Sequence, residues 1–523
     1  MNAWFRQSNI SIAFNGSSEM NSSPLTLTKK IFLYLLVFIS FVALGRLFFF
    51  EYRLLNYPYQ WELREALHFH HGILLSEGKS IYTVSPDPPV IVEPYGPVNP
   101  FLLSAMIRIF GKDISTPRLS SFLCLIALLT LIAAASYTLT HNWLFVAIAI
   151  GVNTFILSWV QWLLLCRPDS LGGLLLFTSV FIHWLYPFRK AAVGASILLI
   201  ILAFFTKVYF ALGLMLIPLN YWFFHQNRKA ALLYLLSGSA LLLACVALAN
   251  HLTKGFYCFF TFELMSQWVT YSLSHLLGNV RDLFAYYFPL FFLIIYSTVK
   301  KDFRFQTLNI FWLQIVTGIP VFMFFLLNTG GTIFYWFTVI PALTLAGIDV
   351  LHRECQKEKP IIAVVMLVLL FCVMANRMFY IETIRGRMIF PSETLAAQWQ
   401  PFTDYFNRIQ DPMLTDDMTA TLALRAGIRP HSEGLGYLNI KNSMAKKLNF
   451  KFRNIDAEIA RRDYAAIINP ENEHYVQQHY RLDRVYHVPI QLGEYAWPLK
   501  IYVPDSSHGK KCLKDALQPD SLQ

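Results

Sequence analysis

The chain has 523 residues, of which 55% are hydrophobic, 16% aromatic and only 14% charged, a composition that excludes an ordinary soluble domain. Its formal charge of +11 does not point to nucleic acid, because Lys and Arg gather in short breaks between apolar runs, where they set orientation in a bilayer. Seven cysteines (Cys124, Cys166, Cys245, Cys258, Cys355, Cys372, Cys512) are widely spaced, without a CxxC or other ligand pattern, so neither a disulfide framework nor a zinc site is expected from them.

Residues 1–30 are polar, Ser- and Asn-rich, and unlike a cleavable signal peptide; they read as a cytoplasmic tail before an anchoring span. Apolar runs follow near 31–50, 118–139, 143–160, 170–187, 191–206, 208–225, 230–250, 283–299, 308–327, 332–350 and 360–379, each matched to a hydrocarbon core of about 30 Å. The fold expected is therefore a polytopic α-helical membrane protein of about 11 spans. Lys29 and Lys30, Arg189 and Lys190, Arg228 and Lys229, Lys300, Lys301 and Arg304, and Arg353, Lys357 and Lys359 fall at alternate breaks. The positive-inside rule makes that side cytoplasmic. The loop 51–117, the 161–169 turn, Lys207, the 251–282 loop, the "NTGG" turn at 328–331 and the tail then lie outside.

That outer side holds the ionisable chemistry. "WELREALHFHHGILLSEG" predicts an amphipathic interfacial helix over 62–78, ending at Gly78, with Glu62 and Glu65 on one face. A solvated face whose histidines meet headgroups is the plainer reading; a carboxylate poised as a general base is the sharper one. "EPYGPVNPFLLSAMIRIFG" is Pro-rich to Pro100 and then amphipathic, predicting a structured loop with Glu93 and Tyr95 before a second interfacial helix. "CRPDSLGG" sets Arg167 and Asp169 at the mouth of a span, where Pro168 and Asp169 also make an ordinary helix start. "AFFTKVYF" places Lys207 between two apolar runs, suited either to snorkelling or to an anionic phosphate. Tyr335 in "NTGGTIFYWF", and His275 with Arg281 in the 251–282 region, are weaker candidates for substrate contact.

From about Pro391 the chain becomes charged, with short β-like runs "PMLT", "YAAIIN" and "LKIYV", predicting a small extracytoplasmic α/β domain over 390–505 and a disordered tail over 506–523. Within it, "LTDDMTATLALRAGIRPHSEG" reads as a strand–helix unit rather than an acceptor site.

Taken in order, the acidic first-loop helix ending in "EGKSIY", the "EPYGPVNPFLLSAMIRIFG" segment, the arginine-led span "TPRLSSF", the outer "RPDSL" and the lysine in "FFTKVYF" resemble the C superfamily of glycosyltransferases. Within it they are most similar to the branch of lipid A aminoarabinose transferases and protein O-mannosyltransferases. The resemblance spans residues 30–380 and lies in order and topology more than in any one signature. It implies inverting transfer of a sugar from a polyprenyl-phosphate carrier to an extracytoplasmic glycolipid, glycan or protein, in a bacterial inner membrane. By position it assigns the first-loop acid to Glu62 or Glu65, the second outer acid to Asp169, and donor-phosphate binding to Lys207 with Arg167. The branch's usual "Asp-Glu" pair is replaced here by "WELRE"; Gly78 lies 13 residues after Glu65 and 16 after Glu62, the branch's spacing falls between the two, and Glu65 is preferred with Glu62 as the alternative. Glu93 stands before Pro94 where the aminoarabinose branch has a basic residue. No cofactor is expected, with a divalent cation held by Glu62, Glu65 and Asp169 left open. The rival from another class is a transporter or lipid-linked sugar flippase, which calls for midplane charges and repeated halves.

Overall fold

A computed structural model describes residues 24–82, 93–267, 271–305, 307–327, 333–384, 389–409, 413–415, 455–470, 473–490 and 495–504. The N-terminal 23 residues, all of the Pro-rich 83–92 stretch, the whole "NTGG" turn, nearly all of the 414–434 segment and the 506–523 tail lie outside them.

The chain opens with α1 (Pro24–Leu55) and then α2 (Leu63–Ser76), α3 (Val98–Phe110), α4 (Ser115–Thr140), α5 (Trp143–Thr154), α6 (Leu157–Leu164), α7 (Pro168–Leu185) and α8 (Lys190–Phe204). A 3₁₀ turn at Val208–Ala211 leads into α9 (Leu212–Phe223) and α10 (Arg228–Leu252). Short α11 (Phe256–Cys258) and α12 (Met265–Gln267) bracket a π-helical stretch, and α13 (Leu273–Val299), α14 (Asn309–Leu326), α15 (Ile340–Gln356) and α16 (Ile361–Ala375) complete the bundle. Six of these helices are long and apolar enough to cross a membrane, seven if the α5–α6 pair counts as one span: this is a multi-pass membrane protein.

The run expected at 143–160 is not one straight helix but α5 and α6, bent by 76°. The runs at 191–206 and 208–225 form shorter apolar helices, Lys190–Phe204 and Val208–Phe223. Local capping fixes several starts. Asn142 accepts the Leu144 amide, Asn227 the Ala230 amide and Ser272 the His275 amide, each supplying an acceptor for an otherwise orphaned N–H.

Contacts sort the breaks onto two ends of the bundle. Lys29 Nζ donates to Cys355 O at 2.8 Å, Trp184 Nε1 to Thr307 O at 2.8 Å, and Arg353 Nη1 to Asp302 O at 2.8 Å, so the basic breaks converge at one end. At the other, the Gly96 and Val98 amides donate to Thr206 O and Phe205 O, bringing the first loop onto the α8–α9 junction.

The helix expected over 62–78 is present as α2, but its surroundings differ from those expected. Glu65, Ala66, His68, Phe69, His70, His71, Ile73 and Leu74 are all buried, so α2 is sunk into protein rather than laid on headgroups. Gly72 makes this possible: a Cβ there would come within 2.9 Å of both Leu103 and Ile107 of α3. It is α3 that keeps the interfacial character, with Phe101, Ile109 and Phe110 exposed opposite its buried Leu103 and Ile107.

After α16 a π-helical turn (Asn376–Ile384) and helices α17 (Glu393–Ala397) and α18 (Gln400–Phe406) lead to a mixed four-stranded sheet. Its strands are β1 (Met413–Leu414), β2 (Ala466–Ile468), β3 (Tyr480–Ile490) and β4 (Tyr495–Pro504), in the order β1-β2-β4-β3. The three β-like runs read from the sequence fall on β1, β2 and β4. β1 pairs parallel with β2, β2 antiparallel with β4, and β3 with β4 as a long hairpin. Trp399, fully buried, stacks on Tyr59 at 5.2 Å, tying this region to the loop that carries Glu62.

Candidate active site

The residue that organises the first loop is Arg118, in the first turn of α4. Its side chain is fully buried, and its guanidinium donates to Glu65 Oε1 at 2.6 Å and Oε2 at 3.0 Å. It also donates to the carbonyls of Leu54 (2.6 Å), Tyr57 (2.6 Å) and Tyr59 (2.7 Å). The Trp61 amide donates to Glu65 Oε2 at 2.8 Å. A buried charge is tolerable only when paired and hydrogen-bonded, and here one arginine closes the turn between α1 and α2. Glu65 is consumed by that clamp.

Glu62, one turn earlier, has a different partner: Arg167 Nη2 lies 2.9 Å from its Oε1, with the two side chains 6% and 7% exposed against 0% for both Arg118 and Glu65. Arg167 stands at the N-terminal boundary of α7 and packs over the Trp162 ring at 4.7 Å, a geometry that holds a guanidinium in place. Two residues on, Asp169 lies in the first turn of α7, behind Pro168, where the helix dipole favours an anion. Lys207 Nζ donates to both its oxygens, at 2.9 and 2.8 Å, and the Tyr209 hydroxyl donates to Oδ1. The Lys207 ammonium is ringed by Tyr95 (4.7 Å), Tyr209 (5.6 Å) and Tyr335 (5.6 Å).

Close backbone approach sets this up. A Cβ on Gly172 would come within 2.0 Å of the Phe210 ring, and one on Gly96 would lie 1.9 Å from Phe205 O and 2.6 Å from its Cα. Gly96 thus lets the loop press Tyr95 onto Lys207. The Tyr95 carbonyl accepts the Tyr82 hydroxyl at 2.5 Å, and burial pushes that hydroxyl well above the ordinary tyrosine range, keeping it a neutral donor. Gly96→Ala is expected to displace the segment, cost about 1–3 kcal/mol of stability and lower activity; thermal unfolding in detergent alongside a transfer assay checks both.

Of the residues singled out from the sequence, Glu62, Arg167, Asp169, Lys207, Tyr95 and Tyr335 are thus brought together by direct contact or by adjacency. His275 is set in the first turn of α13, where its carbonyl accepts from Asn279 and its amide meets the Ser272 hydroxyl; the contacts seen there tie it to its own helix. The exposed Arg281 pairs with its neighbour Asp282 at 3.0 Å. Arg118 went unassigned, although an arginine opening an apolar span is a signal in itself. Among the described residues, Glu62, Glu65 and Asp169 do not form a shared ligand group; the set of three whose ligand atoms lie together is His68, His71 and Glu93.

No protein-family model matches the chain, and no curated protein matches it significantly. Solved structures do. The crystal structure of ArnT from Cupriavidus metallidurans bound to undecaprenyl phosphate superposes with a TM-score of 0.58 at 13% identity, covering 91% of this chain and 98% of that one. The apo state of the same protein gives a TM-score of 0.53 at 12% identity, covering 90% and 97%. A likeness so extensive at so low an identity is one of architecture: over 91% of its length this chain has the fold of ArnT.

Proposed function

We propose that the protein is an inverting glycosyltransferase that moves a sugar from a polyprenyl-phosphate donor to a hydroxyl-bearing acceptor outside the cytoplasm. In this reading the end of the bundle with the basic breaks is cytoplasmic, and the eleven apolar runs all act as spans, α5 with α6 as a broken one. The ArnT-like fold supports the donor class, since one ArnT structure was solved with undecaprenyl phosphate. The observation that carries the proposal is the adjacent placement of two carboxylate–cation pairs, Glu62–Arg167 and Asp169–Lys207, at the end opposite the basic breaks.

Each pair is nearly neutral as it stands, so an arriving donor phosphate competes for the cations. Arg167, with its planar fork of donors, suits a phosphate as well as a carboxylate. When the phosphate takes Arg167, Glu62 is released as a carboxylate beside the anomeric centre. The acceptor O–H then gives its proton to Glu62, the acceptor oxygen bonds to the anomeric carbon, and the C–O bond to phosphate breaks with its electron pair leaving on the lipid phosphate. Such a transition state is oxocarbenium-like. The leaving group is a weak base, needing cationic stabilisation from Arg167 and Lys207 more than a proton. Asp169 holds Lys207 and orients the acceptor. In this reading Glu62 rather than Glu65, preferred from the sequence, is the base, because the Arg118 clamp already holds Glu65.

Mass spectrometry of envelope lipids and glycans, comparing cells with the protein, without it, and with Glu62→Gln, tests the reading. One class of molecule should lose a single sugar increment in the latter two. Unchanged envelope masses, together with uptake of labelled lipid-linked sugar by proteoliposomes without covalent transfer, would establish a flippase or transporter instead.

A further inference from the structure

His68 and His71 stand three residues apart on α2 and so share a face. Glu93 reaches the same point from the loop before α3. The three residues are 2%, 0% and 0% exposed, and one ligand atom from each lies within 4.8 Å of the other two. His71 Nδ1 is 2.5 Å from Glu93 Oε2, while Glu93 Oε1 accepts the Tyr95 amide at 2.8 Å. A hydrogen-bonded His–Glu pair accounts for two of these groups. The third group, the His68 imidazole, stands one helical turn away on the same face, its ring 5.5 Å from that of Tyr95.

Two imidazoles and a carboxylate are a donor set for a zinc-class ion, bound at about 2.0–2.2 Å with a fourth position open to water or a substrate oxygen. In a tetrahedron of that radius the ligand atoms stand about 3.3 Å apart, so small side-chain rotations bring His68 inward and part His71 from Glu93. The Tyr95 amide on the second carboxylate oxygen is the kind of outer contact that orients a ligating carboxylate. We propose that His68, His71 and Glu93 bind one divalent cation of the zinc class. The ion would pin the Glu93–Tyr95 segment to α2, and through it fix the ring that faces the Lys207 ammonium. This site stands on its own residues and does not depend on the transferase reading.

The full-length protein, purified in detergent and stripped with a chelator, is equilibrated with Zn²⁺ or Co²⁺, desalted and assayed by elemental mass spectrometry. About one ion per chain is expected, with a Co²⁺ visible spectrum of tetrahedral intensity. His68→Ala and Glu93→Gln should each weaken uptake by at least about tenfold. Zinc X-ray absorption of the unaltered protein, which needs no variant to fold, should show two imidazoles. Uptake well below one ion, uptake unchanged in both variants, or a bound ion with sulfur or fewer than two imidazoles would each overturn the proposal.

Discussion

Glu62→Gln is expected to lower sugar transfer by about 10²- to 10⁴-fold, the usual worth of a positioned general base, with a smaller loss of thermal stability than Glu65→Gln, because the Arg167 it leaves is not fully buried. Glutamine preserves the side chain's shape and still presents an oxygen to Arg167, which retains its Trp162 contact; what it loses is the capacity to take the acceptor's proton. Glu65→Gln should behave in the opposite way. It strips the charge partner from a fully buried guanidinium, an alteration of the kind that costs about 3–5 kcal/mol, yet the fraction that folds should transfer sugar within a few-fold of normal. Thermal unfolding in detergent and a single-turnover assay on the folded fraction separate the two. Loss of chemistry on Glu65→Gln with Glu62→Gln near normal would return the base to Glu65.

Arg118→Met is expected to be the most destabilising single change around the α1–α2 turn, more so than Glu65→Gln. It leaves Glu65 buried as an unpaired carboxylate, again about 3–5 kcal/mol. It also takes the donor from the Leu54, Tyr57 and Tyr59 carbonyls, at about 1–3 kcal/mol for each one left unsatisfied. The double variant Arg118→Met with Glu65→Leu removes both charges but not the three orphaned carbonyls, so it should recover only part of the loss. Full recovery in the double-variant cycle would mean that the ion pair alone matters and that the carbonyls find other partners. Failure of Arg118→Met to accumulate in the membrane, alongside normal levels of Glu62→Gln, is the cellular form of the same result.

Much of the architecture was legible in the chain. Apolar runs longer than about 18 residues have few alternatives to spanning a bilayer, and six or seven of the described helices are long and apolar enough to do so; the β-like runs near 413, 466 and 500 fall on strands. The candidate acids and bases were legible as well, because an ionisable residue beside an apolar span is costly and rarely incidental. What misled was the character of α2. Its helical spacing and three histidines describe an amphipathic surface helix equally well, and only Gly72, admitting Leu103 and Ile107 against its backbone, decides that the helix is sunk between neighbours.

The sequence by itself determined which residues carry charge, which runs are apolar, and that Glu62, Glu65, Asp169 and Lys207 stand at breaks between those runs. Only the tertiary structure decided who pairs with whom. Glu65 meets Arg118, 53 residues later; Asp169 meets Lys207, 38 residues later; and Glu62 meets Arg167 from a separate helix start. Such pairings depend on the register and rotation of helices packed far apart in sequence, which local spacing does not encode, and a shift of one helical residue turns a side chain by about 100°. That is why two glutamates one turn apart could share a motif and yet part company in the fold, one locked in a buried clamp and the other facing the cation that a donor phosphate would claim.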